Sequence, residues 1–185
     1  MLKKIVIIGP ESTGKSTLCK QLAEHYATTW VPEYARGYLE TNGTNYKYED
    51  LYKIAQGQIV GEDKADVRCQ RPDVNMVLSR VNNQLLFIDT DLYVIKVWSE
   101  FVFNKCDNRI LTGIANRKYD LYLLCNIDLP WVKDTLREYP DLRTRKKLFH
   151  YYKEAMINQT LPWSIISGSY EERLMHAITA VDKIL

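Results

Sequence analysis

The stretch GPESTGKS, residues 9–16, most constrains the fold, because it follows the pattern G-x-x-x-x-G-K-[ST]. A β-branched run at residues 5–8 precedes it, and an apolar-periodic segment at residues 15–26 follows it. Average residue frequencies produce this pattern by chance in on the order of one in a hundred chains of this length. A buried strand before the loop and a helix after it are the context that a phosphate-binding loop requires. The sequence therefore predicts such a loop.

Each residue type in this loop has a chemical role in binding a nucleotide. Glycines let backbone N–H groups converge on phosphate oxygens, and the N-terminus of the following helix adds partial positive charge. We expect Lys15 to reach the β and γ phosphates and Ser16 to bind Mg²⁺. The loop residues predicted to bind ATP are Gly9, Glu11, Ser12, Thr13, Gly14, Lys15, Ser16 and Thr17.

Strand and helix patterns alternate along the rest of the chain. Further strands are predicted at residues 28–32, 84–88, 119–127 and 162–168. Helices are predicted at residues 15–26, 33–43, 48–69, 92–103, 109–115, 144–158 and 169–185. This order predicts an α/β fold of the P-loop NTPase type, in which a parallel five-stranded sheet has helices on both faces. We find no linker or internal repeat, so residues 1–185 are expected to form a single domain.

Composition argues against several other classes of protein. The chain has 25 basic and 23 acidic residues, a net charge of +2, and so lacks the bulk field of nucleic-acid and membrane-surface binders. Its four cysteines include no C-x-x-C pair, so a zinc site is not expected. The apolar run near the N-terminus is about five residues long, too short for a signal peptide, and no stretch approaches the roughly 18 to 20 apolar residues of a membrane helix. We expect a cytoplasmic protein without nucleic-acid or membrane partners.

The loop leaves the fate of the phosphate open, since GTPases, motor ATPases and small-molecule kinases all contain it. A GTPase is disfavoured because no lysine stands between Asn126 and Asp128, where the guanine-reading N-K-x-D motif is expected. A motor of the AAA or transporter type usually needs a longer chain. A compact kinase needs a magnesium-binding acid, a base near the acceptor hydroxyl and mobile arginines, and the chain has candidates for all three.

Acidic residues stand at the C-terminal ends of two predicted strands, where open α/β sheets bind ligands. Asp89, after the third strand, is the candidate for the magnesium shell. Asp91 either acts at the acceptor or caps the following helix, a position that suits a carboxylate. Glu33 follows the second strand and faces the same crevice, unless it is only a surface glutamate at a helix start.

A basic stretch, LPWVKDTLREYPDLRTRKKLF, lies between the fourth predicted strand and the next helix. Compact P-loop kinases have a lid there, which closes arginines over the transferring phosphoryl group. We predict a lid at about residues 130–145, with Arg137 and Arg143 as its better arginine candidates. Lys146 and Lys147 are expected on a solvated helix face. A solvated basic surface is the alternative interpretation of the whole stretch.

Four segments, GPESTGKSTL, VPEYARGYL, FIDTDLYVIKVW and WVKDTLREYPDLRTRKKL, together resemble the kinase domain of the NadR family. The likeness runs over nearly the whole chain in the same order. The combination of G-x-E-S-x-G-K-S, E-Y-[AG]-R and I-D-T-D is more specific than the loop alone. The resemblance implies a ribosylnicotinamide kinase for NAD salvage, which phosphorylates the 5'-hydroxyl of nicotinamide riboside with ATP and Mg²⁺ to give nicotinamide mononucleotide.

The resemblance also implies roles for individual residues. Ser16 and Asp89 are implied metal ligands. The base is expected mostly to orient the acceptor hydroxyl, because the transition state is loose, with Glu33 as first candidate and Asp91 as second. The implied catalytic residues are Glu33, Asp91, Lys15 and Arg137. The implied substrate-binding residues are Glu33, Tyr34, Arg36 and Asp91.

The chain departs from the family pattern in two respects. The family often has an aromatic residue directly before the glutamate of E-Y-[AG]-R, where this chain has Pro32, with Trp30 two positions earlier. Tyr34, Tyr38 and Trp98 are the alternative aromatic faces for a cationic pyridinium ring. Full-length family members carry an adenylyltransferase domain ahead of the kinase and some a DNA-binding domain. Without them the expected product is the mononucleotide rather than NAD, and no repressor activity is expected.

The segment ISGSY follows the last predicted strand, and its backbone is expected to pass the adenine of ATP at Gly168. The alternative is that Gly168 only forms a turn. Ser169, with Glu172 three positions later, predicts the N-cap of the closing helix.

Two other functions stay compatible with the sequence: a P-loop kinase for another nucleoside or small metabolite, and a non-catalytic nucleotide-binding regulatory module.

Overall fold

The computed structural model describes residues 2–70 and 84–185. Its strands are β1 (Lys3–Ile8), β2 (Thr29–Val31), β3 (Leu85–Asp89), β4 (Leu121–Cys125) and β5 (Trp163–Ile166). Its helices are α1 (Lys15–His25), α2 (Tyr34–Asn42), α3 (Tyr48–Gln70), α4 (Leu92–Phe103), α5 (Asn108–Asn116), α6 (Leu142–Ile157) and α7 (Tyr170–Asp182).

The five strands form one parallel sheet in the order β2-β3-β1-β4-β5. The central strand β1 pairs with β3 in a register that places Ile7 opposite Asp89, and with β4 in one that places Ile7 opposite Leu123. The carboxyl ends of β1 and β3 are therefore neighbours, which brings the phosphate loop beside the acids that follow β3. The predicted α/β fold with a five-stranded parallel sheet is confirmed.

Alternating residues of the central strands pack on opposite faces of the sheet, as the two-residue strand period requires. On one face, Ile5 and Ile7 contact a buried cluster that includes Leu22 of α1 and Val181 of α7. On the other face, a second cluster contains residues of β1, α4 and α6, namely Val6, Ile8, Val97, Leu148 and Tyr152. Because both faces are covered, the strands are almost continuously apolar, and β1 is the β-branched run visible in the sequence. Among the described residues no helix is both long and apolar enough to cross a membrane.

The element boundaries agree with the sequence patterns to within a few residues. The third strand ends at Asp89 rather than at residue 88, so this carboxylate belongs to the strand end itself. Helix α6 begins at Leu142 rather than at residue 144, because the Asp141 side chain accepts a hydrogen bond from the Thr144 N–H and caps the helix. The Ser169 and Glu172 capping box at α7 is present as predicted.

The connection from β4 to α6, residues 126–141, forms no helix or strand and is described throughout. It crosses the carboxyl edge of the sheet beside the phosphate loop. This segment corresponds to the first part of the predicted lid, and we call it the lid segment below. The remaining predicted lid residues, 142–145, form the first turn of α6.

Candidate active site

The loop between β1 and α1 curls tightly around the N-terminus of α1. Gly9 and Gly14 have φ values of 138° and 77°, a region that favours glycine. A Cβ on Gly9 would lie 2.7 Å from the carbonyl oxygen of Cys125, so the backbone approaches the end of β4 too closely for a side chain. The loop therefore has the shape of an anion site at a helix N-terminus.

Two side chains of the loop are hydrogen-bonded to the carbonyl oxygen of Pro10. The buried hydroxyl of Thr13 donates to it at 2.7 Å, and Nζ of Lys15 donates to it at 3.0 Å. These bonds lay the Lys15 ammonium across the loop. The Lys15 ammonium therefore adds positive charge to the loop.

Asp89 is 1% exposed and lies at the end of β3 beside the phosphate loop. Burial and the nearby charge of Glu33 raise the pKa of its carboxyl, while Lys15 and a hydrogen bond from Ser16 oppose this shift. Its Oδ1 atom has no hydrogen-bond partner within residues 2–70 and 84–185. A buried carboxylate oxygen with no partner, next to a hydroxyl, is a donor set that suits Mg²⁺. Ser16 and Asp89 thus fit the role of metal ligands.

Asp91 is as buried as Asp89 but makes different contacts. Its Oδ1 accepts the N–H of Tyr93 as the N-cap of α4, and its Oδ2 accepts the hydroxyl of Tyr122 at 2.8 Å. Burial raises the pKa of Asp91 to about 7. Both carboxylate oxygens are occupied by bonds within the protein, which is the helix-capping interpretation of this residue.

One cavity extends from the phosphate loop to the start of α2. Residues 9–17 form one wall, and Glu33, Arg36 and Arg137 face them from the start of α2 and from the lid segment. Aromatic surface comes from α4, the lid segment and α6, supplied by Trp98, Phe101, Tyr139 and Tyr152. Groups that bind phosphate, a half-buried carboxylate and aromatic faces therefore border the same space.

The predicted acceptor residues of α2 point in different directions. Glu33, which lines the cavity, immediately precedes α2 as its N-cap residue. Arg36 forms an ion pair with Asp134 of the lid segment at 3.0 Å. The ring of Tyr34 packs against Gly57 of α3 and lines a second cavity. A Cβ at Gly57 would lie 2.1 Å from this ring, which explains the glycine inside a long helix.

The two predicted lid arginines differ in position. Arg137 lines the cavity, and its guanidinium donates to the hydroxyl of Ser12 at 3.3 Å and to the carbonyl of Val132. Arg143 is exposed on the first turn of α6. Arg145, which no sequence motif singles out, is 5% exposed and donates to the carbonyls of Ser12 and Leu129. Arg145 rather than Arg143 therefore faces the loop.

Arg173 of α7 is a second arginine that no sequence motif indicates. It is 2% exposed, forms an ion pair with Asp128, and donates to the carbonyls of Thr13, Asn126 and Gly168. One guanidinium thus joins the phosphate loop to the turns that follow β4 and β5. Gly168 has φ 101° and donates its N–H to Asp128 at 2.7 Å, so it forms a turn, and its expected place beside the adenine stays a prediction.

Comparison with known proteins gives one family match. The model of a family described as "AAA domain" matches residues 4–173. The trifunctional NAD biosynthesis/regulator protein NadR of Escherichia coli K12 is 25% identical over 189 residues, covering all of this chain and 43% of that protein. The chain spans about half the length, or less, of the NadR proteins it matches.

Solved structures agree with this likeness. A crystal structure of NadR protein in complex with NR has a TM-score of 0.75 and 25% identity, covering 99% of this chain and 49% of that one. A NadR structure in complex with NAD and AMP-PNP has a TM-score of 0.70 and 24% identity over the same shares. A thymidylate kinase from Ehrlichia chaffeensis shows the same fold, at a TM-score of 0.64 and 11% identity, covering 97% of this chain and 98% of that one. The predicted resemblance to the P-loop region of NadR is confirmed.

Proposed function

The chain belongs to the AAA domain family, and we propose that it is a P-loop kinase that transfers the γ-phosphoryl group of ATP to the 5'-hydroxyl of nicotinamide riboside. The observation that carries this proposal is the shared cavity, which the phosphate loop, Glu33 and Arg137 all line. A kinase needs a bound phosphoryl donor and a bound acceptor hydroxyl in one enclosed space. Residues 1–185 are proposed to act as one kinase domain, with the lid segment above the phosphates.

Glu33 is the better of the two candidate bases. It is half-buried, lines the cavity, and lies close enough to Asp89 for its charge to affect the pKa of that carboxyl. Both oxygens of Asp91 are occupied by Tyr93 and Tyr122, so we assign Asp91 the role of positioning α4. Because phosphoryl transfer has a loose transition state, Glu33 mainly orients the acceptor hydroxyl and accepts its proton late.

The other end of the cavity stabilises charge on the phosphoryl oxygens. Backbone N–H groups of the loop bind the phosphates, and Lys15 and Arg137 place positive charge around the group in transfer. Ser16 and Asp89 would hold Mg²⁺, which neutralises charge on the β and γ phosphates when it is bound. Arg36 reaches the lid segment through Asp134 and joins the acceptor side to it.

Two considerations support nicotinamide riboside as the acceptor. The relatives are named for NAD biosynthesis, and one solved NadR structure is a complex with NR. In addition, the cavity pairs the carboxylate of Glu33 with the aromatic faces of Trp98 and Tyr152. A pyridinium ring is a flat cation, which both a carboxylate and an aromatic face attract.

A panel of nucleosides tested with ATP and Mg²⁺ examines the acceptor directly. We expect nicotinamide riboside to give the highest kcat/KM, with ADP and nicotinamide mononucleotide formed in equal amounts. If the protein phosphorylates a pyrimidine deoxynucleoside well and nicotinamide riboside not at all, the proposed acceptor is wrong and the proposed kinase activity stands.

The second candidate is a nucleotide-binding regulatory module, which the AAA domain description of the family favours. Such a module hydrolyses ATP slowly, and an added nucleoside leaves its rate unchanged. The Glu33→Ala variant separates the two candidates, because it slows a kinase and leaves the hydrolysis of a regulatory module as it was.

A further inference from the structure

Two side chains of the phosphate loop, those of Glu11 and Ser12, bind the lid segment. The carboxylate of Glu11 accepts the N–H of Glu138 at 3.1 and 3.0 Å through its two oxygens, and the N–H of Tyr139 at 2.9 Å. The hydroxyl of Ser12 accepts the N–H of Val132 at 2.9 Å and a guanidinium N–H of Arg137 at 3.3 Å. The loop thus contacts the lid segment on both sides of Arg137 and at Arg137 itself.

These contacts matter because the lid segment has no secondary structure to fix its position. An irregular segment is held only by the bonds it makes to its surroundings. Other contacts also hold the segment, among them the Arg36 pair with Asp134, the Arg173 pair with Asp128 and the Tyr139 ring against Phe101. The phosphate loop differs from these contacts in that it bonds the segment before Arg137, after Arg137 and at Arg137 itself.

The charges around Glu11 fit a role in holding backbone N–H groups. A carboxylate beside bound phosphates would repel them, so Glu11 is poorly suited to contact the nucleotide itself. Lys15 and Arg145 face it as cations and Glu138 as an anion. Burial raises the pKa of the Glu11 carboxyl, whereas the N–H groups of Tyr139 and Glu138 stabilise its charged form.

We propose that Glu11 and Ser12 are positioning residues, which hold the lid segment on the phosphate loop so that Arg137 faces the transferring phosphoryl group. The proposal rests on the proposed kinase function only for the role of Arg137 at the phosphoryl group, since the contacts of Glu11 and Ser12 with the lid segment are independent of that function. The sequence predicts that these two side chains bind ATP. In this proposal they instead connect the phosphate loop to the lid segment, so that the loop sets the position of the segment.

The variants Glu11→Ala and Glu11→Gln test whether the hydrogen-bond acceptors of the Glu11 side chain hold the lid segment. Oε1 alone accepts both N–H groups, so glutamine keeps an acceptor for each, whereas alanine loses all of them. Glu24→Ala, at an exposed glutamate on α1, is the matched control. Melting temperatures of all variants establish that they are folded.

The first readout is cleavage of the native protein by trypsin, because Lys133 and Arg137 lie within the lid segment. We expect Glu11→Ala to be cut in the lid segment about tenfold faster than wild type, because the N–H groups of Glu138 and Tyr139 both lose the carboxylate that holds them. Glu11→Gln and Glu24→Ala are expected within about threefold of wild type. Ser12→Ala, which frees Val132, should speed cleavage after Lys133 more than after Arg137.

The second readout is steady-state kinetics with the best acceptor of the nucleoside panel. We expect Glu11→Ala to lower kcat about tenfold with the KM for ATP within about threefold of wild type, because Arg137 is misplaced while the loop backbone still binds the phosphates. Glu11→Gln should restore most of kcat.

The outcomes are distinguishable from those of the proposed function. Lid cleavage of Glu11→Ala at the wild-type rate, or a glutamine variant as strongly affected as the alanine variant, would overturn the positioning role. If wild type phosphorylates no acceptor, the proposed function fails, and the cleavage rates still decide whether Glu11 and Ser12 hold the lid segment.

Discussion

The two ends of the cavity are built in opposite ways. At the phosphate loop the bonds that shape the site join residues three and five positions apart, from Thr13 and Lys15 to Pro10. At the lid segment, the bond between Arg36 and Asp134 joins residues 98 positions apart, and the bond between the Tyr139 N–H and Glu11 joins residues 128 positions apart. The first end is determined by a short stretch of sequence between a strand and a helix. The second forms only when the whole fold has assembled.

The largest effect is expected at the lid. Replacing Arg137 by alanine removes a cation that lines the cavity, and arginines that act on transferring phosphoryl groups contribute roughly 10³-fold or more to kcat. Arg143→Ala, at an exposed site six residues later, is expected to stay within about twofold of wild type, as surface substitutions usually do. Steady-state kinetics with ATP and the best acceptor measures both. Equal effects of the two variants would mean that the lid segment is no part of the active site.

The next effect lies in the loop itself. Lys15→Met removes the ammonium that crosses the loop, and we expect kcat to fall by about 10²- to 10³-fold, as for other single groups that stabilise transition-state charge. Lys20→Met, on an exposed position of the same helix, is the control and should retain wild-type turnover. If Lys15→Met turns over at the wild-type rate, the loop binds nucleotide without taking part in catalysis.

The acceptor side should respond more weakly than either cation. We expect Glu33→Gln to lower kcat about a hundredfold, the low end for a general base, because the base mainly orients the hydroxyl. The KM for ATP should change little, since the phosphate loop is unaltered. Glu40→Gln, an exposed glutamate on α2, serves as control. A Glu33→Gln enzyme with full kcat and a raised KM for the acceptor would assign Glu33 to binding alone.

The smallest effect is expected at Asp91. Asp91→Asn keeps an oxygen for the Tyr93 N–H and removes a buried charge, so the free energy of unfolding should change by less than about 1 kcal/mol and kcat by less than about threefold. Asp91→Ala loses the cap and leaves the Tyr122 hydroxyl without its partner, a loss of about 2 kcal/mol or more. Denaturant unfolding and kcat measure these changes. A hundredfold loss of kcat in Asp91→Asn would restore Asp91 as the base.

The difference between the two ends also explains what the sequence could predict. The strand, the loop and the cap of α7 are local features, so the fold, the strand-end acids and the Ser169 capping box followed from short motifs. Arg143 was the arginine predicted for the lid at this point, whereas Arg145 is the buried one. Its burial follows from contacts with the carbonyls of Ser12 and Leu129, which depend on the assembled fold.

Two further features had no local signal. Arg173 lies on a charged stretch of an amphipathic helix, where a solvated arginine is the ordinary expectation. Its burial follows from the meeting of α7 with the phosphate loop and the turn after β4. The hydrogen bonds between Glu11 and the lid segment could not be predicted from the sequence either, because a loop without periodicity gives no indication of where it folds back.

Transfer of label from ATP tests most directly whether the two ends form one active site. ATP labelled in the γ-phosphoryl group is incubated with nicotinamide riboside, Mg²⁺ and the protein, and the labelled products are separated. We predict that the label appears in nicotinamide mononucleotide in amounts equal to the ADP formed, and that Glu33→Gln slows its appearance without directing the label elsewhere. Label found only in inorganic phosphate, at a rate that nicotinamide riboside does not change, would contradict the account.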